Sequence, residues 1–248
     1  MRSRTIIMMI TFIQKIPILT TLLSAVFFVI LYKHWKAKGQ PSYLFWWTLG
    51  VLCYGLGTLT ESIVGVWGWS EPVFKSWYIL GALLGGFPLA QGSVFLVFSK
   101  RTATIMMIMV MAVIITASCL VVLSPIDYAA VEPSRLTGKV LGWSKVRLIT
   151  PFINIYAFIF LVGGACYSAY KYSKDRRYRN RFWGNIFIAL GGLLPGIGGS
   201  FTKFGFTEVL YVMELLGIIL IYAGYKTIRK DTTLSVYEIQ NVKVITHK

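Results

Sequence analysis

Charged residues are scarce in this chain. Asp, Glu, Lys and Arg together make up 14% of its 248 residues, whereas they make up about 25% of an ordinary soluble domain. Hydrophobic residues make up 56%, and the mean hydropathy is +0.67. A composition with so little charge excludes a soluble globular protein and indicates a membrane protein.

Histidine is nearly absent, and cysteine occurs without paired spacing. The two histidines are His34 and His247, and the three cysteines, Cys53, Cys119 and Cys166, lie far apart inside apolar runs. These spacings match neither a disulfide framework nor a zinc site. The sequence also lacks GxSxG, HExxH, Walker A and CxxC motifs, and its last apolar run has no central Lys for a retinal Schiff base. We therefore expect no metal, no cofactor and no catalytic residue of these types.

Long apolar runs dominate what is present. A helix needs roughly 20 apolar residues to cross a bilayer core of about 30 Å. Seven runs fit this length; they are called spans 1 to 7 and lie at about 16–32, 43–64, 77–98, 104–123, 148–170, 183–202 and 207–226. The predicted fold class is all-α, a polytopic membrane protein built as a seven-transmembrane helix bundle. Residues 1–230 form one transmembrane domain in this prediction, and residues 231–248 form a short cytoplasmic tail.

Lys and Arg are distributed unevenly between the two ends of the spans. Of these 25 residues, 16 follow spans 1, 3, 5 and 7, and nine lie at the opposite ends. Since loops rich in Lys and Arg stay in the cytoplasm, the N-terminus is predicted outside and the C-terminus inside a cytoplasmic (plasma) membrane. This topology explains the net charge of +16, which then gives no reason to expect a nucleic-acid partner. The expected partners are the lipid bilayer and, at the basic loop 171–181, anionic lipid headgroups.

One connection is much longer than the others. Residues 124–147 lie outside in the predicted topology and mix two prolines, charges and apolar residues. A loop of this length is commonly a lid over a site or a disordered segment. Its Val140, Leu141 and Trp143 favour a segment that lies on the membrane surface or caps the bundle.

Two glycine pairs have the spacing of a helix-packing motif. Gly81 and Gly85 form one GxxxG pair, and Gly192 and Gly196 form the other. Small residues at this spacing let helix backbones approach closely. We expect both pairs to pack inside the bundle, with dimerisation as the alternative.

Four polar side chains fall inside the spans: Glu61, Gln91, Asn154 and Glu214. Ionisable or amide groups are costly in a bilayer, so each is a candidate for function. Glu214 is the eighth residue of span 7, about 10 Å deep at 1.5 Å per residue, which is too far for its side chain to reach the surface. It must therefore be protonated or paired, and we expect it to face the bundle interior.

These side chains fall at similar depths. Glu61, Asn154 and Glu214 all lie in the outer half of the predicted bundle, and two tyrosines, at the outer starts of spans 3 and 7, are placed to close the same region. We therefore predict an outward-open polar cavity that binds a small ligand. Its candidate ligand-binding residues are Glu61, Tyr78, Gln91, Asn154, Tyr211 and Glu214.

Each of these residues also has a purely structural interpretation. Glu61 lies about one turn from the interface, where a solvated helix-end carboxylate is common. Asn154 and Gln91 are of the type that forms hydrogen bonds between helices. Glu214 is equally compatible with a functional and a structural role.

Residues 43–101 carry a resemblance to a known group of proteins. The segment YLFWWTLGVLCYGLGTLTES, followed by a turn rich in Trp and Tyr and by WYILGALLGGFPLAQGSVFLVFSKR, resembles the seven-helix membrane modules that occur alone or ahead of bacterial sensor histidine kinases. The resemblance covers about a quarter of the chain and consists mostly of aromatic and glycine spacing. It implies a sensory or ligand-binding module in the cytoplasmic membrane. No kinase follows span 7, so signalling would require a separate partner protein.

Three functions fit these observations. The first is a sensor or ligand-binding module whose outer cavity biases helix positions that are read on the cytoplasmic face. The second is a small, proton-coupled transporter that uses Glu214 as a titrating group and a 3 + 1 + 3 arrangement of spans for alternating access. The third is an intramembrane lipid-modifying enzyme with carboxylates as acid and base. The near absence of polar residues in the inner half of span 7 and in span 4 favours the sensor.

Overall fold

The computed structural model describes residues 13, 15–133, 135–202 and 204–246, with side chains as far as Asp231. Within them, seven helical segments are long and apolar enough to cross a membrane: Ile16–Ala37, Ser42–Trp67, Glu71–Val97, Lys100–Leu123, Ser144–Ser173, Arg176–Thr202 and Thr207–Asp231. These are spans 1 to 7. The described part of the chain contains no β-strand, so the predicted all-α, multi-pass membrane fold is confirmed.

Six of the spans form a closed ring. Span 1 packs on span 2, span 2 on span 3, span 3 on span 5, span 5 on span 6, span 6 on span 7, and span 7 returns to span 1. Span 4 lies outside this ring, against span 3 and the end of the long loop. We call the end of the ring where spans 1, 3, 5 and 7 finish the basic end, and the end that carries residues 124–149 the loop end.

Spans 3 and 5 are not continuous α-helices. Span 3 consists of an α-helix, a π-helix, a bend and a second α-helix, at Glu71–Trp77, Tyr78–Leu83, 84–86 and Phe87–Val97. Span 5 consists of a 3₁₀ turn, an α-helix, a π-helix and an α-helix, at Ser144–Leu148, Thr150–Ala157, Phe158–Gly163 and Gly164–Ser173. A π-helical turn rotates the side chains after it relative to those before it, and such turns are frequent at functional sites.

Spans 6 and 7 approach each other through glycines seven residues apart. A Cβ on Gly191 would lie 2.7 Å from the carbonyl oxygen of Gly217, and a Cβ on Gly184 would lie 2.8 Å from that of Gly224. Of the GxxxG pair expected to pack inside the bundle, Gly192 faces span 5, where a Cβ would lie 2.9 Å from Leu161. Gly196 has open space beside it. Gly191 therefore lies in the seam between spans 6 and 7, while Gly192 packs on span 5.

The long loop caps the loop end of the bundle. Leu136, Val140 and Leu141 are buried, and the Asp127 amide donates a hydrogen bond of 2.9 Å to the Val140 carbonyl. Trp143, expected with them, is 44% exposed. The described part of the loop therefore caps the bundle, which is one of the two arrangements that its apolar residues favour.

Span 7 continues beyond the end predicted from its apolar run. Its helix extends over Thr207–Thr246, so the segment predicted as a separate tail from 231 begins as a continuation of the same helix. The side chains after Asp231 lie outside the described residues, as do His247 and Lys248 entirely.

Candidate functional site

Two carboxyl groups meet near the loop end of the ring. Glu61 of span 2 is 2% exposed, and its carboxyl group lies within hydrogen-bonding contact of the Glu214 carboxyl of span 7. The Oε2 atoms of both residues are buried, and neither has an N–H or O–H donor among the described side chains. Glu214 thus faces the bundle interior beside Glu61, as expected from its depth.

Close approach of spans 2 and 3 explains how Glu61 acquires a donor. A Cβ on Gly57 would lie 3.2 Å from the Cα of Gly81, so the two backbones nearly touch there. Because the spans run in opposite directions, the residues one turn away, Glu61 and Trp77, also meet. The Trp77 Nε1–H donates a hydrogen bond of 3.0 Å to Glu61 Oε1.

Tyrosines from two spans complete the surroundings of the pair. The Tyr54 hydroxyl donates a hydrogen bond of 2.7 Å to the backbone carbonyl of Glu214. Tyr211, one turn before Glu214, is 5% exposed and lies within electrostatic range of both carboxyl groups. Spans 2 and 7 do not pack backbone to backbone, so these long side chains bridge the centre of the ring.

A carboxyl pair in this setting has a restricted chemistry. Two ionised carboxylates in contact repel each other, and burial penalises each charge further. A hydrogen bond between two carboxyl oxygens also requires a proton on one of them. The pair therefore requires a shared proton or another compensating positive charge.

Two other predicted site residues make separate contacts. The Tyr78 hydroxyl hydrogen-bonds with the Thr150 hydroxyl at 2.9 Å, beneath the loop cap. Gln91 is fully buried, donates 2.9 Å to the Ala103 carbonyl of span 4, and accepts 2.7 Å from the Tyr156 hydroxyl of span 5. Gln91 thus forms hydrogen bonds between helices, as in the purely structural interpretation of this residue.

Asn154 lies on the outside of the bundle. Its helix buries Ile153 and Ala157, which are one turn apart, and this places Asn154 on the exposed face. Neighbouring helix positions differ by about 100°, so depth alone does not decide which residues converge. Of the six predicted residues, the structure brings together Glu61, Glu214 and Tyr211.

Open space occurs elsewhere than the sequence predicts. One cavity of about 540 Å³ occupies the centre of the ring at the basic end, and a smaller one of about 240 Å³ lies beneath the loop cap, beside Arg135 and Thr207. Neither is lined by any of the six predicted site residues. Glu61 itself is 2% exposed and lies outside the lining of both cavities.

Sequence reasoning missed the polar network at the basic-end cavity. The Tyr225 hydroxyl lies 2.9 Å from His34 Nδ1, and Arg229 Nη1 donates 3.3 Å to the same hydroxyl. At the level of sequence, Arg229 served only as one of the 16 basic residues that indicate topology, and His34 only as one of two histidines. The available signal was the spacing of Tyr225 and Arg229, one helical turn apart and on the same face of span 7.

The basic loop 171–181 combines paired and unpaired charges. Arg177 Nη2 lies 2.8 Å from Asp175 Oδ2, and the hydrogen bonds from Arg177 hold the pKa of the Asp175 carboxyl below its ordinary value. Arg181 lies over the rings of Tyr172 and Tyr178. Five basic side chains on this loop are exposed: Lys171, Lys174, Arg176, Arg177 and Arg179.

Comparisons with family models, curated proteins and solved structures found no match for this chain.

Proposed function

We propose that this chain is a membrane-embedded sensor module whose input is the proton or cation held by Glu61 and Glu214. The contact between these two carboxyl groups is the observation that carries the proposal. In the proposed orientation, the N-terminus and the loop cap lie outside a cytoplasmic membrane, and the basic end and the C-terminus lie inside. The positive-inside distribution of Lys and Arg supports this orientation.

The input acts by changing the charge of the pair. Two unit charges 4 Å apart repel by about 4 kcal/mol at an effective dielectric constant of 20. Loss of the shared proton therefore drives span 7 away from span 2, unless a cation enters between the carboxylates. Tyr54 and Tyr211 are the other titratable groups beside the pair, and Glu208 and Arg135 lie beyond them at the loop end.

The output is carried by span 7. Its helix continues without a break from Thr207 to Thr246, so a displacement at Glu214 is transmitted to the basic end. A separate partner protein that binds this end would read the change. Exposed basic residues of the 171–181 loop face the same end and, we propose, bind anionic lipid headgroups.

The test compares wild type with Glu214→Gln and Glu61→Gln. Gln keeps the volume and hydrogen-bonding capacity of Glu but cannot ionise. Thermal stability in detergent is measured across pH values and a panel of small amines and metal cations. The matched control is Glu208→Gln, because Glu208 lies on the same helix but is partly exposed and paired with Arg135 at 3.5 Å.

The proposal expects wild type and Glu208→Gln to respond to pH or to a cation, and both pair variants to lose that response. If all four proteins respond identically, the pair is only an interhelical contact and the sensor proposal is overturned.

A transporter is the second candidate, because both ends of the ring hold polar groups. Buried Phe27, Val51, Ile218 and Ile221 form an apolar layer between the Glu61–Glu214 pair and the basic-end cavity. Such a layer between two polar regions is typical of an occluded pathway. Flux of the stabilising cation or proton into proteoliposomes would favour the transporter, and binding without flux would favour the sensor.

A further inference from the structure

The lining of the basic-end cavity combines charged, polar and apolar side chains. His34, Lys38 and Arg229 line it together with Tyr225 and Asn185. Its apolar lining residues are Leu44, Leu96, Val97, Ile188 and Ile228. A ligand that matches this lining has both a charged group and a hydrocarbon part.

The charge of the lining selects an anion. The residues described as lining this cavity include His34 and two permanently charged side chains, but no Asp or Glu. Lys38 lies near the Tyr43 ring, 5.5 Å from its centroid, and Arg229 is 5.8 Å from the Tyr225 ring. These ring contacts fix the positions of both cations in the cavity lining.

Spans 3 and 5 separate beside the cavity. They touch where a Cβ on Gly164 would lie 4.0 Å from the Cβ of Ser93. Beyond this point, Phe87–Val97 packs against Phe158–Gly163 but hardly against Gly164–Ser173. The lining residues Leu96 and Val97 of span 3 are more than half exposed, so the apolar lining extends to the surface of the bundle.

We propose that this cavity is a binding site for an anionic membrane lipid with a phosphate-bearing headgroup. The headgroup lies against Lys38, Arg229 and the His34–Tyr225 pair, and an acyl chain leaves through the cleft between spans 3 and 5. The volume of about 540 Å³ lies within the roughly 300–1,000 Å³ of typical ligand sites. This site is distinct from the surface loop 171–181 and uses none of the residues of the Glu61–Glu214 pair.

The test uses purified protein in an uncharged detergent with three probes. These are a short-chain phosphatidic acid, a phosphatidylcholine with the same chains, and inorganic phosphate. Thermal stabilisation gives an apparent dissociation constant for each. Phosphatidic acid is expected to stabilise the protein at concentrations where phosphatidylcholine and phosphate have no effect.

Three variants separate the parts of the site. Lys38→Gln and Arg229→Gln should each weaken phosphatidic acid binding by about tenfold, because each removes one charged hydrogen-bond donor. Gly164→Leu should weaken it as well, by filling the cleft without altering any charge. Lys33→Gln is the matched control, since Lys33 is an exposed Lys in the helix that ends just before Lys38 and lies outside the cavity lining.

Each other outcome overturns the proposal. Equal stabilisation by phosphate and phosphatidic acid would show a free-anion site without a lipid chain. An equal loss of binding in Lys33→Gln would show attraction to the whole basic end rather than to the cavity. If Arg229→Gln does not fold, Lys38→Gln and Gly164→Leu still decide the result, and unchanged binding in both would exclude the site.

Discussion

The Tyr54 hydroxyl of span 2 donates a hydrogen bond of 2.7 Å to the backbone carbonyl of Glu214 in span 7. This bond sets the height of Glu214 relative to span 2, at the level where its carboxyl group meets that of Glu61. It is one of the few links across the centre of the ring, where the backbones of spans 2 and 7 stay apart.

Replacing Tyr54 by Phe should weaken this link while leaving the ring intact. The change removes one hydrogen bond in a buried setting, and we expect a loss of about 1 kcal/mol in unfolding free energy. Titration with a denaturing detergent, followed by circular dichroism, measures it. Tyr32→Phe is the control, because Tyr32 is exposed on span 1; equal losses in the two variants would contradict the role of the Tyr54 bond.

Replacing Gln91 should destabilise the protein strongly, although this residue carries no charge. Gln91→Leu leaves the Ala103 carbonyl and the Tyr156 hydroxyl without the partner that each has now. An orphaned buried polar group costs about 1–3 kcal/mol, so the melting temperature should fall clearly. Adding Tyr156→Phe should recover part of the loss by removing one orphan, and a further fall in the double variant would count against this explanation.

The glycine seam between spans 6 and 7 predicts a sharp contrast within one helix. Gly191→Ala places a methyl group 2.7 Å from the Gly217 carbonyl oxygen, whereas Gly196→Ala places it in open space. We expect Gly191→Ala to destabilise the protein by about 1–3 kcal/mol through overpacking, and Gly196→Ala to be neutral. Melting temperatures of the two variants in the same detergent test this. Equal effects would mean that the seam is not close-packed.

The proposed orientation predicts where reporters fall. A reporter fused after Lys248 and one inserted in the 124–147 loop should lie on opposite sides of the membrane, with the first in the cytoplasm. A third reporter in the basic loop 171–181 should share the side of the first. The orientation is wrong if the loop and C-terminal reporters are found on the same side.

The spans themselves could be predicted from the sequence because their signal is local. Run length and charge placement mark seven helices without knowledge of any contact, since a bilayer demands about 20 apolar residues per crossing. The first and last residues of the spans were predicted less accurately than their number. Span 3 begins at Glu71 rather than near Trp77, because a short amphipathic helix precedes the apolar run.

The depth of Glu61 and Glu214 was also determined by the sequence. Counting along spans 2 and 7 at 1.5 Å per residue places both in the outer half of the bundle, with Glu61 about one turn from the interface and Glu214 about 10 Å deep, where a carboxyl group requires a partner. The same count placed Asn154 with them, yet its helix turns it outward. The depth of a side chain follows from its position along the chain. The direction in which it points depends on the orientation of its helix about the helix axis.

Only the tertiary structure decided which helices surround which space. The six-span ring, the exclusion of span 4 and the divergence of spans 3 and 5 together create the basic-end cavity, and none is encoded in a single run. His34 and Arg229 are 195 residues apart in sequence and line the same cavity only because span 7 returns to span 1. The apolar runs determined that the chain crosses the membrane, because hydrophobicity is a property of each segment. Side-chain packing between segments decided where its polar groups meet.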